Sequence, residues 1–190
     1  DPDFAKANYY YGILLIKNGE KNKAAGYMER AAKLMPFDFS AQYDLGCLYA
    51  ENSEFEKAIS FFEKALQLDQ KLPEAYNNMC YSLASVGKYQ QALGYCKTSI
   101  DLDPDNAATL DSMGYVYAGL KNYDLSSEYY EKALKIDPSI AETYLHYANL
   151  LKDNGKNKEA KEYYLKYLKL EPSAKKARSI KKNIKKELQL

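Results

Sequence analysis

The sequence predicts an all-α protein built from five helical hairpins, and three observations carry that reading. Residues of like size return every 34 positions along the 190-residue chain, and apolar residues inside each span recur at helical spacing. No stretch alternates apolar with polar residues at period two, so strands are not expected.

The repeat shows first in three columns. Gly12, Gly46, Cys80, Gly114 and Ala148 form one, Ala24, Ala58, Ala92, Ser126 and Ala160 a second, and Pro36, Gln70, Pro104, Pro138 and Pro172 a third. Small residues belong where two helices approach closely, and proline belongs where a second helix has to stop. Units therefore run 5–38, 39–72, 73–106, 107–140 and 141–174 without insertion. In the fourth unit Leu110, Met113, Gly114 and Tyr117 share one helical face, and Leu125, Tyr129, Ala133 and Ile136 form a second stripe after a polar turn at Lys121-Asn122. Asp105-Asn106, Ser139 and Ser173 are expected to cap the first helix of the unit that follows.

Composition excludes several classes. At 46% hydrophobic content the chain should fold, and no apolar run approaches the roughly 18 residues that span a bilayer. A net charge of +1 gives no global pull toward nucleic acid, and none is expected as a specific partner. Three cysteines, Cys47, Cys80 and Cys96, are too few and odd in number for a disulfide framework, so reduced thiols and a cytoplasmic location are expected. The octet GYVYAGLK at 114–121 nearly spells a phosphate-binding loop. It fails because Leu120 stands where lysine is required and because Gly114 falls inside a helix rather than after a strand.

The units resemble tetratricopeptide repeats, whose pattern is an aromatic, then L-G, then Y, then A, F, A and P at fixed offsets. Tyr76 and Tyr144 match the first aromatic, Leu45-Gly46 and Met113-Gly114 the pair, Tyr49 and Tyr117 the next tyrosine, and Ala58, Phe62 and Ala65 the second-helix triplet. Cys80 and Ala148 replace glycine, Gln70 replaces proline, and Tyr167 stands where a small residue is usual. The resemblance implies a right-handed superhelical solenoid of antiparallel helix pairs, with a concave groove lined by the first helices.

Both ends depart from the pattern. Asp1-Pro2-Asp3-Phe4 shares the phase of Asp103-Pro104-Asp105-Asn106, so residues 1–4 read as the tail of a preceding repeat in a longer protein. An uncapped first helix carrying Ile13, Leu14 and Ile16 would favour self-association through that end. Residues 175–190 place Arg178, Lys181, Lys182 and Lys185 where the aromatic, leucine, glycine and tyrosine would fall. Seven basic residues against one acid give this segment +6, while Ala177, Ile180, Ile184 and Leu188 form a narrow apolar stripe. A basic capping helix is expected, with an anion-binding surface as the alternative.

Twenty tyrosines and no tryptophan make tyrosine placement informative. By the resemblance, eleven sit at framework or turn positions, among them Tyr11, Tyr117, Tyr130 and Tyr167. Tyr27, Tyr95, Tyr129 and Tyr163 recur half exposed on the second helix. Five face the groove: Tyr9, Tyr10, Tyr43, Tyr81 and Tyr115, with Tyr81 and Tyr115 as a short ladder. Asp44, Asn77, Asn78, Asp111, Ser112, His146 and Asn149 join them as the peptide-binding set. Tyrosine joins apolar area to a hydroxyl, and amides can both donate to and accept from a peptide backbone. Over the middle three units the groove positions hold Asp44, Glu51, Glu74 and Asp111 and no lysine or arginine, a net −4 that favours a neutral-to-basic ligand.

Neither of two specialised groove types transfers. The carboxylate clamp needs Lys and Asn at the fifth and ninth positions of one unit, and the asparagine ladder needs Asn at every sixth position, where only Asn78 qualifies. No catalytic residue, metal site or cofactor is expected, because His146 is the only histidine and no Cys/His spacing suits zinc. The expected function is a non-catalytic scaffold that binds a protein or peptide. The alternatives are the recognition segment of a larger enzyme or of a secretion or assembly factor, and a spacer or oligomerisation array without a groove ligand.

Overall fold

In the computed structural model, residues 2–173 and 175–187 are described, and they form α-helices with no strand among them. Five hairpins follow one another: α1 (Pro2–Lys17) with α2 (Lys21–Leu34), α3 (Phe39–Glu51) with α4 (Phe55–Leu68), α5 (Pro73–Ser85) with α6 (Tyr89–Leu102), α7 (Ala107–Gly119) with α8 (Tyr123–Ile136), and α9 (Ala141–Asp153) with α10 (Asn157–Leu170). A final helix, α11, covers Lys175–Glu187. The chain divides into two compact units, Asp1–Pro104 and Asp105–Leu190. Within the first, α2 also packs on α3 and α4 on α5; within the second, α8 packs on α9 and α10 on α11.

Each hairpin turns in the same way. Gly19, Ser53, Gly87, Lys121 and Gly155 hold left-handed φ values of 78°, 62°, 78°, 61° and 75°. The next residue then returns its N–H to a carbonyl five residues back, as in Glu54 to Tyr49 at 2.8 Å and Asn122 to Tyr117 at 2.9 Å. That bond satisfies a helix-end carbonyl that would otherwise lack a partner. Second helices end two residues before the proline column in every repeat, including the one where Gln70 stands in it. Asn106 caps α7 by accepting from Thr109 N at 3.0 Å, and Asp38 caps α3 through Ala41 N at 2.8 Å. Ser139 is not a cap as expected. Its amide and hydroxyl both donate to Asp137 Oδ1, at 2.8 and 2.6 Å, and α9 starts two residues later.

Close approach of the paired helices explains the small-residue column. A Cβ on Gly12 would lie 2.5 Å from Met28 Cγ, on Gly46 2.7 Å from Phe62 Cε1, and on Gly114 2.6 Å from Tyr130 Cε1. Each large side chain fills the space its glycine vacates and is sealed from solvent, a burial that contributes about 2 kcal/mol apiece. In the third repeat the corresponding pair is Cys80 and Cys96, joined by a disulfide with Cα atoms 5.3 Å apart. Reduced thiols, on which a reducing compartment rested, therefore hold only for Cys47. The odd count misled because the pairing follows from the hairpin contact between two columns rather than from a framework.

At the two ends, Pro2–Phe4, read above as the tail of a preceding repeat, lie in the first turn of α1. Proline is compatible with a first helical turn, where its missing N–H goes unused. Tyr11, expected in the framework, is 46% exposed, whereas Leu45, Met79, Met113 and Tyr147 in the same column are buried. In α11, Ala177, Ile180 and Ile184 are buried against Leu145, Tyr167 and Leu168, so the apolar stripe closes the second unit. Leu188 of that stripe lies outside the described residues.

Candidate peptide-binding face

First helices carry the expected site residues, and the structure links them in pairs. Tyr9 Oη donates to Asp44 Oδ2. Asn78 Nδ2 donates to Tyr43 Oη at 3.0 Å and to Cys47 Sγ at 3.5 Å. His146 Nδ1 meets both carboxylate oxygens of Asp111, at 2.9 and 3.2 Å. The Tyr9–Asp44, Tyr43–Asn78 and Asp111–His146 links each span 35 residues, one more than the period. Each therefore joins the fifth position of one repeat to the sixth of the next.

In the first unit, Tyr10 is the most open site residue at 66% exposure, and Tyr9 meets its ring edge-on at 5.3 Å. Tyr9, Tyr43, Asp44, Asn77, Asn78 and Tyr81 are half-buried. Tyr43 stacks on Phe39 at 5.4 Å, and Tyr81 stands edge-on to Phe55 at 6.0 Å. In the second unit, Tyr115 lies beside the His146 ring at 5.3 Å, and Asn149 Oδ1 accepts from Tyr164 Oη at 2.7 Å. Asp111 and Ser112, expected on the open face, are 7% and 3% exposed. Packing between α7 and its neighbours in the second unit takes them inward, and Asp111 spends its carboxylate on His146. Tyr81 and Tyr115 belong to different units, and each is placed within its own.

Electrostatics sharpen the first unit. Burial pushes the Tyr9 phenol well above its usual range, and hydrogen bonding to Asp44 adds to this. Burial likewise raises Tyr43 and pushes the Cys47 thiol up to about 11. Asp44 is raised chiefly by burial and further by Asp38, against the lowering effect of the Tyr9 hydroxyl. No lysine or arginine among the described residues ion-pairs with Asp44 or Glu74, whereas Lys21 pairs with Glu51 at 2.7 Å. Of the expected groove acids, Glu51 is thus ion-paired with Lys21 and Asp111 is hydrogen-bonded to His146, whereas Asp44 and Glu74 have no described lysine or arginine in ion-pairing reach. For His146, burial pulls the pKa down, but the charge and hydrogen bond of Asp111 outweigh it and the net shift is upward. Among the described residues no cluster of three or more His, Cys, Asp or Glu could hold a metal ion.

Tetratricopeptide-repeat signatures match residues 39–72, 72–139 and 129–162. The chain is a tetratricopeptide repeat protein. Members of this family serve as protein-interaction scaffolds, and none of the described helices is long and apolar enough to cross a membrane. No curated protein matches the sequence. Among solved structures, the tetratricopeptide repeat protein TTC0263 of Thermus thermophilus is similar at TM-score 0.78 and 22% identity, over 92% of this chain and 95% of that one. MamA residues 41 to the end from Desulfovibrio magneticus gives TM-score 0.72 at 22% identity, over 91% and 98%. YrrB, described as having an unusual peptide-binding site, gives TM-score 0.61 at 19% identity, over 92% and 90%. At these identities the likeness speaks to the tetratricopeptide repeat fold.

Sequence reading missed the pairing of the site residues and the part Cys47 plays in it. A signal was present: the offset of 35, which a search restricted to equal phases of the repeat passes over.

Proposed function

We propose that the first-helix face is a non-catalytic site for an extended, neutral-to-basic peptide segment. The observation that carries this is the row Tyr9, Asp44, Tyr43 and Asn78, half-buried, fixed by cross-repeat hydrogen bonds and uncompensated by any described cation. Prearranged phenols and amides hold a peptide backbone without the entropic cost of ordering loose side chains. The peptide-binding site named for YrrB is consistent with this use of the fold. The test is capture of a partner by the immobilised protein. Tyr10→Ala with Glu74→Gln should abolish capture and leave the melting temperature unchanged, since both residues are exposed. Capture that survives the double substitution contradicts the reading and supports a spacer.

Self-association through α1 is a second reading, favoured by one observation. Tyr11 and Leu14 are 46% and 50% exposed, while their counterparts Leu45 and Leu48, on an α3 packed by α2, α4 and α5, are at most 2% exposed. Light scattering at high concentration should find a dimer that Leu14→Lys dissociates; a monomer throughout rules this reading out.

A further inference from the structure

Cations stand over several aromatic rings of the described residues. Arg30 lies over Tyr27 at 5.7 Å, Lys57 over Tyr49 at 4.8 Å, Lys64 over Phe61 at 4.6 Å, Lys132 over Tyr129 at 5.1 Å, and Lys166 over Tyr163 at 4.8 Å. Tyr10, more exposed than any other described tyrosine, has no such cation among the described residues. Its neighbour Tyr9 meets it edge-on at 70° and holds Asp44 by a hydrogen bond. Tyr9 thus joins the Tyr10 ring on α1 to the Asp44 carboxylate on α3, and no positive charge among the described residues lies in ion-pairing reach of that carboxylate. Lys6, four residues before Tyr10 and exposed, does not pair with Asp44.

We propose that Tyr9, Tyr10 and Asp44 form a subsite for a cationic side chain, lysine or arginine, of the bound peptide. The proposal rests on the peptide-binding reading above and adds what one residue of the peptide must be. The ring of Tyr10 offers its face to the cation, Tyr9 walls the site, and Asp44 supplies the counter-charge. Asp44 also bears the mark of a residue kept for binding. Its charged form is disfavoured by burial, so the folded chain holds it at a cost that a cationic ligand would offset.

The test uses N-acetyl-arginine amide and its neutral isostere N-acetyl-citrulline amide as probes, read by aromatic NMR shifts of 13C-tyrosine-labelled protein. Arginine amide should shift Tyr9 and Tyr10 with an affinity about tenfold above citrulline amide. Asp44→Asn should remove that preference and, because it deletes a disfavoured charge while retaining an acceptor for Tyr9, should melt no lower than wild type. Tyr10→Ala should remove the shifts at Tyr9. Equal binding of the two probes, absence of shifts in wild type, or an Asp44→Asn variant that keeps the preference overturns the subsite. A captured partner that is lost with Tyr10→Ala and Glu74→Gln but indifferent to Asp44→Asn would sink the subsite alone. Indifference to all three substitutions would sink the groove reading itself.

Discussion

Cys80 is bonded to Cys96 at the same two positions where the preceding repeat sets Gly46 against the Phe62 ring. The remaining glycine pairs of this column, Gly12 with Met28 and Gly114 with Tyr130, close the gap by shape, one partner having no Cβ and the other a large side chain. Two cysteines supply neither the void nor the bulk, and a covalent bond takes the place of the packing. Both residues are fully buried, so the bond also excludes water from the centre of the third hairpin.

Reduction should therefore cost stability. The bond closes a separation of 16 residues, and a loop of about that length contributes about 3 kcal/mol by constraining the unfolded chain. Urea unfolding with and without reductant measures this. Cys96→Ser should unfold at the reduced midpoint and be indifferent to reductant; a wild-type midpoint unmoved by reduction would contradict the staple.

Gly114→Ala should destabilise by about 1–3 kcal/mol, because the new methyl would meet the Tyr130 ring at 2.6 Å. Tyr130 is 1% exposed and has no open side toward which to move. Adding Tyr130→Leu should recover part of the loss, since the smaller side chain readmits the methyl. A double substitution whose cost equals the sum of the single costs would show that the two positions do not share one space.

Lys121 and Ser53 hold the left-handed turn position that Gly19, Gly87 and Gly155 hold elsewhere. Side chains with a Cβ pay about 1 kcal/mol to adopt it. Lys121→Gly and Ser53→Gly should each raise stability by about that amount in thermal unfolding, and Gly87→Ala should lower it by a similar amount. If both glycine variants melt below wild type, unfolded-state entropy outweighs the strain.

His146 and Asp111 make the stability of the second unit depend on pH. The folded-state pKa of His146 is raised, so its contribution is fully present below the ordinary histidine value and is lost as pH rises through the folded value. The difference in melting temperature between wild type and His146→Gln should be largest near pH 6 and shrink toward pH 8. A difference that is flat over that range would show that the neutral ring serves Asp111 equally well.

Much of the fold was legible because a repeat states each contact several times. Gly12, Gly46 and Gly114 together announced a close helix approach that a single glycine could not, and the proline column marked where second helices end even across Gln70. The turn position was harder to see, because Ser53 and Lys121 have nothing in common with glycine except a backbone angle. Burial of Asp111 and Ser112 was hidden for another reason. A helix face is defined by phase, but depth depends on the neighbouring helix, and Asp111, at the fifth position of the fourth repeat, sits deeper than Tyr9 at the fifth position of the first. The exposure of Tyr10, by contrast, depends on its own phase along α1.

The hydrogen bonds that step from a fifth position to the following sixth bear on how such a chain can be rearranged. Repeats of one length look interchangeable, but Tyr9 is matched to Asp44 and Tyr43 to Asn78, residue by residue. Transposing the second and third hairpins would set Tyr9 beside Asn78 and Asn77 beside Asp44, keeping every helix and breaking both of these couples. The order of the hairpins is thus written into the side chains of the face that would meet a ligand, and shuffling modules of this chain would scramble recognition while leaving the scaffold standing.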